Sequence, residues 1–215
     1  MRVALIGGTG LVGSMLLPRL GAAGHQVHAL QRRAGEQARA GVQAHLAPPS
    51  EWPAIAAALA ADAAISTLGT TMRKAGSEAA FAAVDRDMVL TFAAAARKAG
   101  TRRFLTVSSA GADRASRNFY LHLKGEVEAE LEALGFDRLD IFRPGLLRGP
   151  RGADRRLGER IGIALSPIVN LALRGPLDRF AAIDAAAVAA AMAATLKETA
   201  AGTILHHNRQ IRRAG

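Results

Sequence analysis

A short aliphatic strand runs straight into a glycine turn and then into an apolar helix: Arg2-Val-Ala-Leu-Ile-Gly7-Gly8-Thr9-Gly10-Leu11-Val12-Gly13. No other feature of the chain constrains its fold as much. Gly8 and Gly10 can take backbone angles closed to residues with a Cβ, so the chain turns tightly and its N–H groups approach a phosphate. Gly13 lets the helix lie close on the strand. The first helical turn, around Leu11 to Leu16, leaves unpaired N–H groups and a partial positive charge aimed at the same spot. Val3 to Ile6 is β-forming, and Leu11, Met15, Leu16 and Leu20 keep helical spacing. A nucleotide pyrophosphate is therefore expected to lie on Gly7, Gly8, Thr9, Gly10, Leu11, Val12 and Gly13.

Behind the turn, strand and helix patterns alternate. Strands are expected at 2–6, 26–30, 42–46, 63–68, 102–108 and 138–143, with helices near 11–23, 51–61, 78–99 and 118–134. Such alternation specifies an α/β fold, a doubly wound parallel sheet covered on both faces. Gly21, Gly24, Gly100 and Gly135 fall where helices should stop. Past Pro144 the regularity weakens into a loop through Gly145, Gly149, Pro150 and Gly152. A helix around 155–165, a proline-punctuated stretch to Pro176, a helix at 184–197 and a strand near 203–207 complete the reading. At 215 residues this is one domain, 1–215, in which 145–215 supplies a small cap on the substrate side.

Composition removes several function classes. The chain has no cysteine, which excludes disulfides, thiolate metal sites and a cysteine nucleophile. His25, His28, His45, His122, His206 and His207 show no metal-ligand spacing, so no metal site is expected. The net charge of +10 concentrates at Arg148, Arg151, Arg155, Arg156 and Arg160, and at Arg209, Arg212 and Arg213. With 4% aromatic residues and no nucleic-acid module, this reads as a solvated surface attractive to anionic metabolites rather than a nucleic-acid face. No basic, apolar and cleavable segment precedes the first strand, and Ala181 to Leu196 is too weakly hydrophobic to span a bilayer. A cytoplasmic monomer or homodimer without membrane contact is expected.

The second strand indicates which nucleotide. A dinucleotide fold selective for NAD places an acidic residue at its end to accept from the adenosine ribose. Here Val27-His-Ala-Leu30 ends in Gln31-Arg32-Arg33, and adjacent guanidinium groups suit the 2′-phosphate of NADP. NADPH is expected to bind in preference to NADH, through Arg32 and Arg33.

The fifth strand ends in Ser108-Ser109, and Tyr120 and Lys124 follow four residues apart on one helix face. A free phenol is a poor acid at neutral pH, but a nearby ammonium favours the phenolate. A serine hydroxyl could orient a carbonyl oxygen beside the phenol, which would hand it a proton while a nicotinamide hydride attacks the carbon. Asp85 and Asp87 read as solvated helix charges, Trp52 as packing, and Arg143 as a candidate anion contact at the pocket rim.

With these residues in view the chain resembles the short-chain dehydrogenase/reductase superfamily, and within it the atypical branch of Tat-interacting oxidoreductase-like proteins. The segments that carry the resemblance are Leu68-Gly-Thr-Thr71, Lys74-Ala-Gly76, Val84-Asp-Arg-Asp87, Ser108-Ser-Ala-Gly-Ala-Asp113, Tyr120 to Glu128 and Phe142-Arg-Pro-Gly-Leu146. The resemblance implies a Rossmann-like fold, catalytic Tyr120 and Lys124, and a catalytic serine that is either Ser108 or Ser109. It implies that Lys124 also touches the nicotinamide ribose, that Leu68, Gly69 and Thr70 lie along the cofactor, and that Pro144 and Gly145 run beside its nicotinamide end. Relatives that modify nucleotide sugars place the serine further before the tyrosine and carry a larger C-terminal domain, so that activity is not expected. Two functions stay open: an NADPH-dependent reductase of a small carbonyl compound, and an NADPH-binding redox sensor acting through a macromolecular partner without turnover.

Overall fold

The computed structural model describes residues 1–33, 40–149 and 175–214. The helix expected near 155–165 and the arginines at 151, 155, 156 and 160 lie outside the described residues.

Seven parallel strands form the central sheet: β1 (Arg2–Ile6), β2 (Gln26–Gln31), β3 (Val42–Leu46), β4 (Ala63–Ser66), β5 (Arg103–Val107), β6 (Arg138–Arg143) and, late in the chain, β9 (Gly202–His207). Their order is β3-β2-β1-β4-β5-β6-β9, which is the doubly wound arrangement. Alternation along β1 shows how the sheet divides its side chains. Val3 and Leu5 join one core with α1 (Leu11–Ala22) and α7 (Ala185–Thr195). Ala4 and Ile6 join the other, with α2 (Trp52–Leu59), α5 (Met88–Lys98) and α6 (Phe119–Ala133). Strands buried on both faces read as continuous apolar runs, which explains their legibility. Each fully buried leucine or isoleucine here, such as Leu16, Leu20, Ile65 and Leu105, contributes about 2 kcal/mol of transfer free energy.

The described residues after Pro144 are built into these layers. β9 pairs with β6 through Arg138↔Gly202 to Arg143↔His207, and α7 packs against α1. Arg103 caps the end of α7, donating to Thr195 O at 3.0 Å and Leu196 O at 2.8 Å. Between β6 and β9, the fully buried Asp140 accepts from Arg138 and from His206 Nε2 at 2.8 Å. Burial alone would raise the Asp140 carboxyl, but the hydrogen bonds from His206 and Arg138 outweigh it and hold the group below the usual carboxylate range.

Several elements escaped the sequence reading. The two-residue strands β7 (Leu147–Arg148) and β8 (Ile183–Asp184) pair with each other, and α3 (Met72–Ala75) is one capped turn. Both are too short for periodicity to register. The final helix α8 (Asn208–Ala214) buries only Asn208 and Ile211, so it carries no apolar stripe. The helix expected over 78–99 is α4 (Glu78–Ala82), a π-helical segment (Ala83–Asp87) and α5 in series.

Candidate active site

The elements expected to bind the nucleotide converge at the carboxyl ends of the strands, where β2 and β4 flank β1 and the chain crosses from one face of the sheet to the other. Gly7 takes φ +84°, and a Cβ there would lie 2.5 Å from Leu68 N and from the carbonyl carbon of Thr67. A Cβ on Gly13 would lie 2.2 Å from Gly7 O and 2.6 Å from Thr67 Oγ1. Only glycine fits either position. Gly10 N donates to Gly7 O at 2.9 Å, closing the turn, and Gly10 is an N-cap without a side-chain bond to α1. No acidic residue occupies the first turn of α1. The positive helix end is therefore not neutralised locally, and the bare backbone before it fits a pyrophosphate. Thr9 is exposed, Leu11 is half-buried, and Val12 is buried in the core behind the turn.

The other expected nucleotide contacts line the same edge. Ile6 pairs with Leu30 on one side and Ser66 on the other, so the exposed Arg32 and Arg33 follow one neighbour of the glycine turn and Leu68 to Thr70 follow the other. Pro144 and Gly145 leave β6 along this edge. Pro144 O accepts from Ala110 N at 2.8 Å, and Gly145 N donates to Asn208 Oδ1 at 2.8 Å. Fully buried Asn208 also donates to Ala181 O and Asp178 O, so α8 fixes the Pro144–Gly145 bend.

The residues expected to react lie along α6, whose N-cap Asn118 accepts from Leu121 N at 3.1 Å. Tyr120, Lys124 and Glu128 repeat every four residues and share one face. Phe81 meets the Tyr120 ring edge-on, with centroids 5.8 Å apart. Lys124 Nζ lies 6.0 Å from the Tyr120 ring centroid. A Cβ on Gly125 would lie 2.4 Å from Arg114 N, so the middle of α6 packs directly on the loop after Ser109.

Two residues not expected as site members, Asp85 and Glu128, organise this face. Asp85, read from the sequence as a solvated charge, is 1% exposed and ion-pairs with Lys124 at 2.7 Å. Its other oxygen accepts from Thr70 N at 2.8 Å. Asp87 is exposed and pairs with Arg86, as expected for a surface charge. The signal was present: Asp85 stands in the buried stripe Phe81, Val89, Phe92 and Ala96, where an unpaired carboxylate could not stay. Glu128, also buried, accepts from the Ser108 hydroxyl and from Arg143. Arg143 therefore spends its Nε and one terminal nitrogen on Glu128 rather than presenting both to an anion.

The two serines are thus distinguished. Ser108 is buried against Glu128, two helical turns from Tyr120 in α6, whereas the hydroxyl of half-buried Ser109 donates to Ala110 O at 3.3 Å. Beside Arg143, His207 at the end of β9 keeps Nδ1 buried with no hydrogen-bond partner among the described residues. Burial first, then the charges of Arg143 and Arg179, hold its imidazole below the ordinary histidine range, with Glu128 opposing them.

Comparisons with known proteins bear on the family and the fold. Residues 3–117 match the NAD dependent epimerase/dehydratase family. The chain is 40% identical over 162 residues to "Protein fmp52, mitochondrial" of Emericella nidulans, covering 71% of this chain and 70% of that protein. It is 50% identical over 94 residues to "Protein HTATIP2" of Rattus norvegicus, covering 44% of this chain and 38% of that protein, in line with the resemblance to the Tat-interacting branch. Among solved structures, human epimerase family protein SDR39U1 with NADPH superposes with TM-score 0.67 at 22% identity, over 96% of this chain and 74% of that one. MoeE5 in complex with UDP-glucuronic acid and NAD gives TM-score 0.71 at 15% identity, over 95% and 75%. Likeness at these identities speaks to the fold. Among the described residues, no helix is long and apolar enough to cross a membrane.

Proposed function

The chain belongs to the NAD dependent epimerase/dehydratase family, and from that premise we propose that it is an NADPH-dependent oxidoreductase that reduces a small carbonyl compound. The observation that carries this reading is the α6 face. It sets the Tyr120 ring 6.0 Å from a buried Lys124 ammonium, at the strand edge where the glycine turn opens.

In this reading Gly7 to Gly13 hold the pyrophosphate, Leu68 to Thr70 lie along the cofactor, and Pro144 and Gly145 border its nicotinamide end. Arg32 and Arg33 hold the 2′-phosphate, for which no carboxylate at the end of β2 competes. When bound, the cofactor supplies the hydride that reduces the carbonyl carbon. Tyr120 donates its phenolic proton to the carbonyl oxygen. The Lys124 ammonium stabilises the phenolate left behind and reaches the nicotinamide ribose. Ser109 orients the carbonyl oxygen, because Ser108 already donates to Glu128. We place this activity in the cytoplasm, although fmp52 relatives carry "mitochondrial" in their names.

NADPH oxidation measured across a panel of aldehydes and ketones, with Tyr120→Phe alongside, tests the proposal. Turnover by the wild type that falls at least about 100-fold in the variant, with NADPH affinity retained, is expected. Tight NADPH binding with no turnover on any substrate would favour the cofactor-regulated binding protein instead.

A further inference from the structure

We propose that Asp85 is the positioning residue of this site: one carboxylate oxygen holds the Lys124 ammonium while the other fastens the loop Leu68 to Thr70. The inference rests on the Ser/Tyr/Lys reading above.

Lys124 is 5% exposed, so its ammonium has given up nearly all contact with water. Without an anionic partner such a group neutralises or swings out toward solvent, and a neutral amine cannot stabilise a phenolate. Asp85 supplies the partner at 2.7 Å. The lysine stem has four rotatable carbons, and the fixed carboxylate selects one arrangement among them.

Asp85 is itself held rigidly. Its second oxygen accepts from Thr70 N at 2.8 Å, and a Cβ added to Gly69 would lie 3.9 Å from Oδ1. The π-helical segment Ala83–Asp87 carries the residue, and such segments recur where a helix must aim one side chain into a site. The neighbouring charges do not compete: Arg86 pairs with Asp87 at 2.8 Å and lies 3.7 Å from Glu126, and all three are partly or wholly exposed. One buried carboxylate thus ties the loop expected along the cofactor to the amine expected beneath Tyr120.

Tyr120 is the sole tyrosine of the chain, so tyrosinate absorbance near 295 nm followed against pH reports this phenol without cofactor or substrate. In Lys124→Met, tyrosinate is expected to form about one pH unit higher than in the wild type. Asp85→Asn, with its fold verified by circular dichroism, is expected to match Lys124→Met, and Asp85→Glu to recover toward the wild type. A shift in Lys124→Met with none in Asp85→Asn overturns the proposal alone. No shift in Lys124→Met overturns the Ser/Tyr/Lys reading and the proposal with it. Should Asp85→Asn not fold, the double variant Lys124→Met/Asp85→Asn, which leaves neither charge of the pair, carries the test. Tyrosinate must then form at the same pH as in Lys124→Met. A further displacement would mean that Asp85 acts on Tyr120 directly, and would overturn its role through Lys124.

Discussion

The hydroxyl of Ser108 donates to the buried carboxylate of Glu128, and that bond sets two adjacent serines in different surroundings. Glu128 lies one turn beyond Lys124 and two beyond Tyr120 on the same face of α6. Arg143, at the end of β6, closes the other side of the carboxylate. Ser108, Glu128 and Arg143 therefore clamp β5, α6 and β6 together, while Ser109 heads the loop on which α6 begins.

Replacing each serine by alanine separates clamp from chemistry. Ser108→Ala removes a hydrogen bond to a charged, buried acceptor and is expected to cost about 2 kcal/mol in urea unfolding, with a smaller effect on kcat. Ser109→Ala should leave stability nearly unchanged and lower kcat about 100-fold, the usual loss when one oriented donor is removed. The reverse pattern would assign the orienting role to Ser108.

Arg32 and Arg33 are exposed at the end of β2, beside the glycine turn in the sheet. Each alanine substitution is expected to raise the Kd for NADPH about tenfold, the equivalent of one charge-assisted bond, and to leave the Kd for NADH unchanged. Fluorescence titration of both nucleotides checks this. Equal weakening of both would place the arginines away from the 2′-phosphate.

His28 and His45 share one hydrogen bond, Nδ1 to Nε2 at 2.9 Å, linking β2 to the edge strand β3. Burial first, then the positive charges of His45 and Arg2, hold the His28 imidazole below the ordinary histidine range. His25 and His207 are lowered as well, burial again the largest cause. In the unfolded chain these groups take up protons as pH falls through about 6.5, before the folded protein does, so stability declines below that pH and is full above it. Thermal midpoints should therefore fall between pH 7.5 and 5.5. His28→Gln, which cannot be protonated, should make that fall shallower.

Much of the site was legible in the sequence because local rules place it. The Gly7 to Gly13 turn needs no distant partner to announce itself, and helical spacing alone puts Tyr120 and Lys124 on one face. Asp85 was misread because a carboxylate on a helix is usually solvated, and the Lys124 ammonium, 39 residues away, together with Thr70 N makes its burial tolerable. Asn208 was invisible for a related reason. Its three hydrogen bonds reach Gly145, Asp178 and Ala181, none of them within 25 residues of it in the chain.

By itself the sequence determined the doubly wound sheet, the glycine turn and the Tyr120–Lys124 face, since each follows from periodicity, glycine stereochemistry or i, i+4 spacing. The tertiary structure alone decided which charges are buried and against what. It engaged Ser108 with Glu128 and left Ser109 half-buried, turned Arg143 toward Glu128, and brought Asp85 onto Lys124. Burial makes a charge costly unless a partner meets it, and the partner comes from another strand or helix that no local pattern identifies.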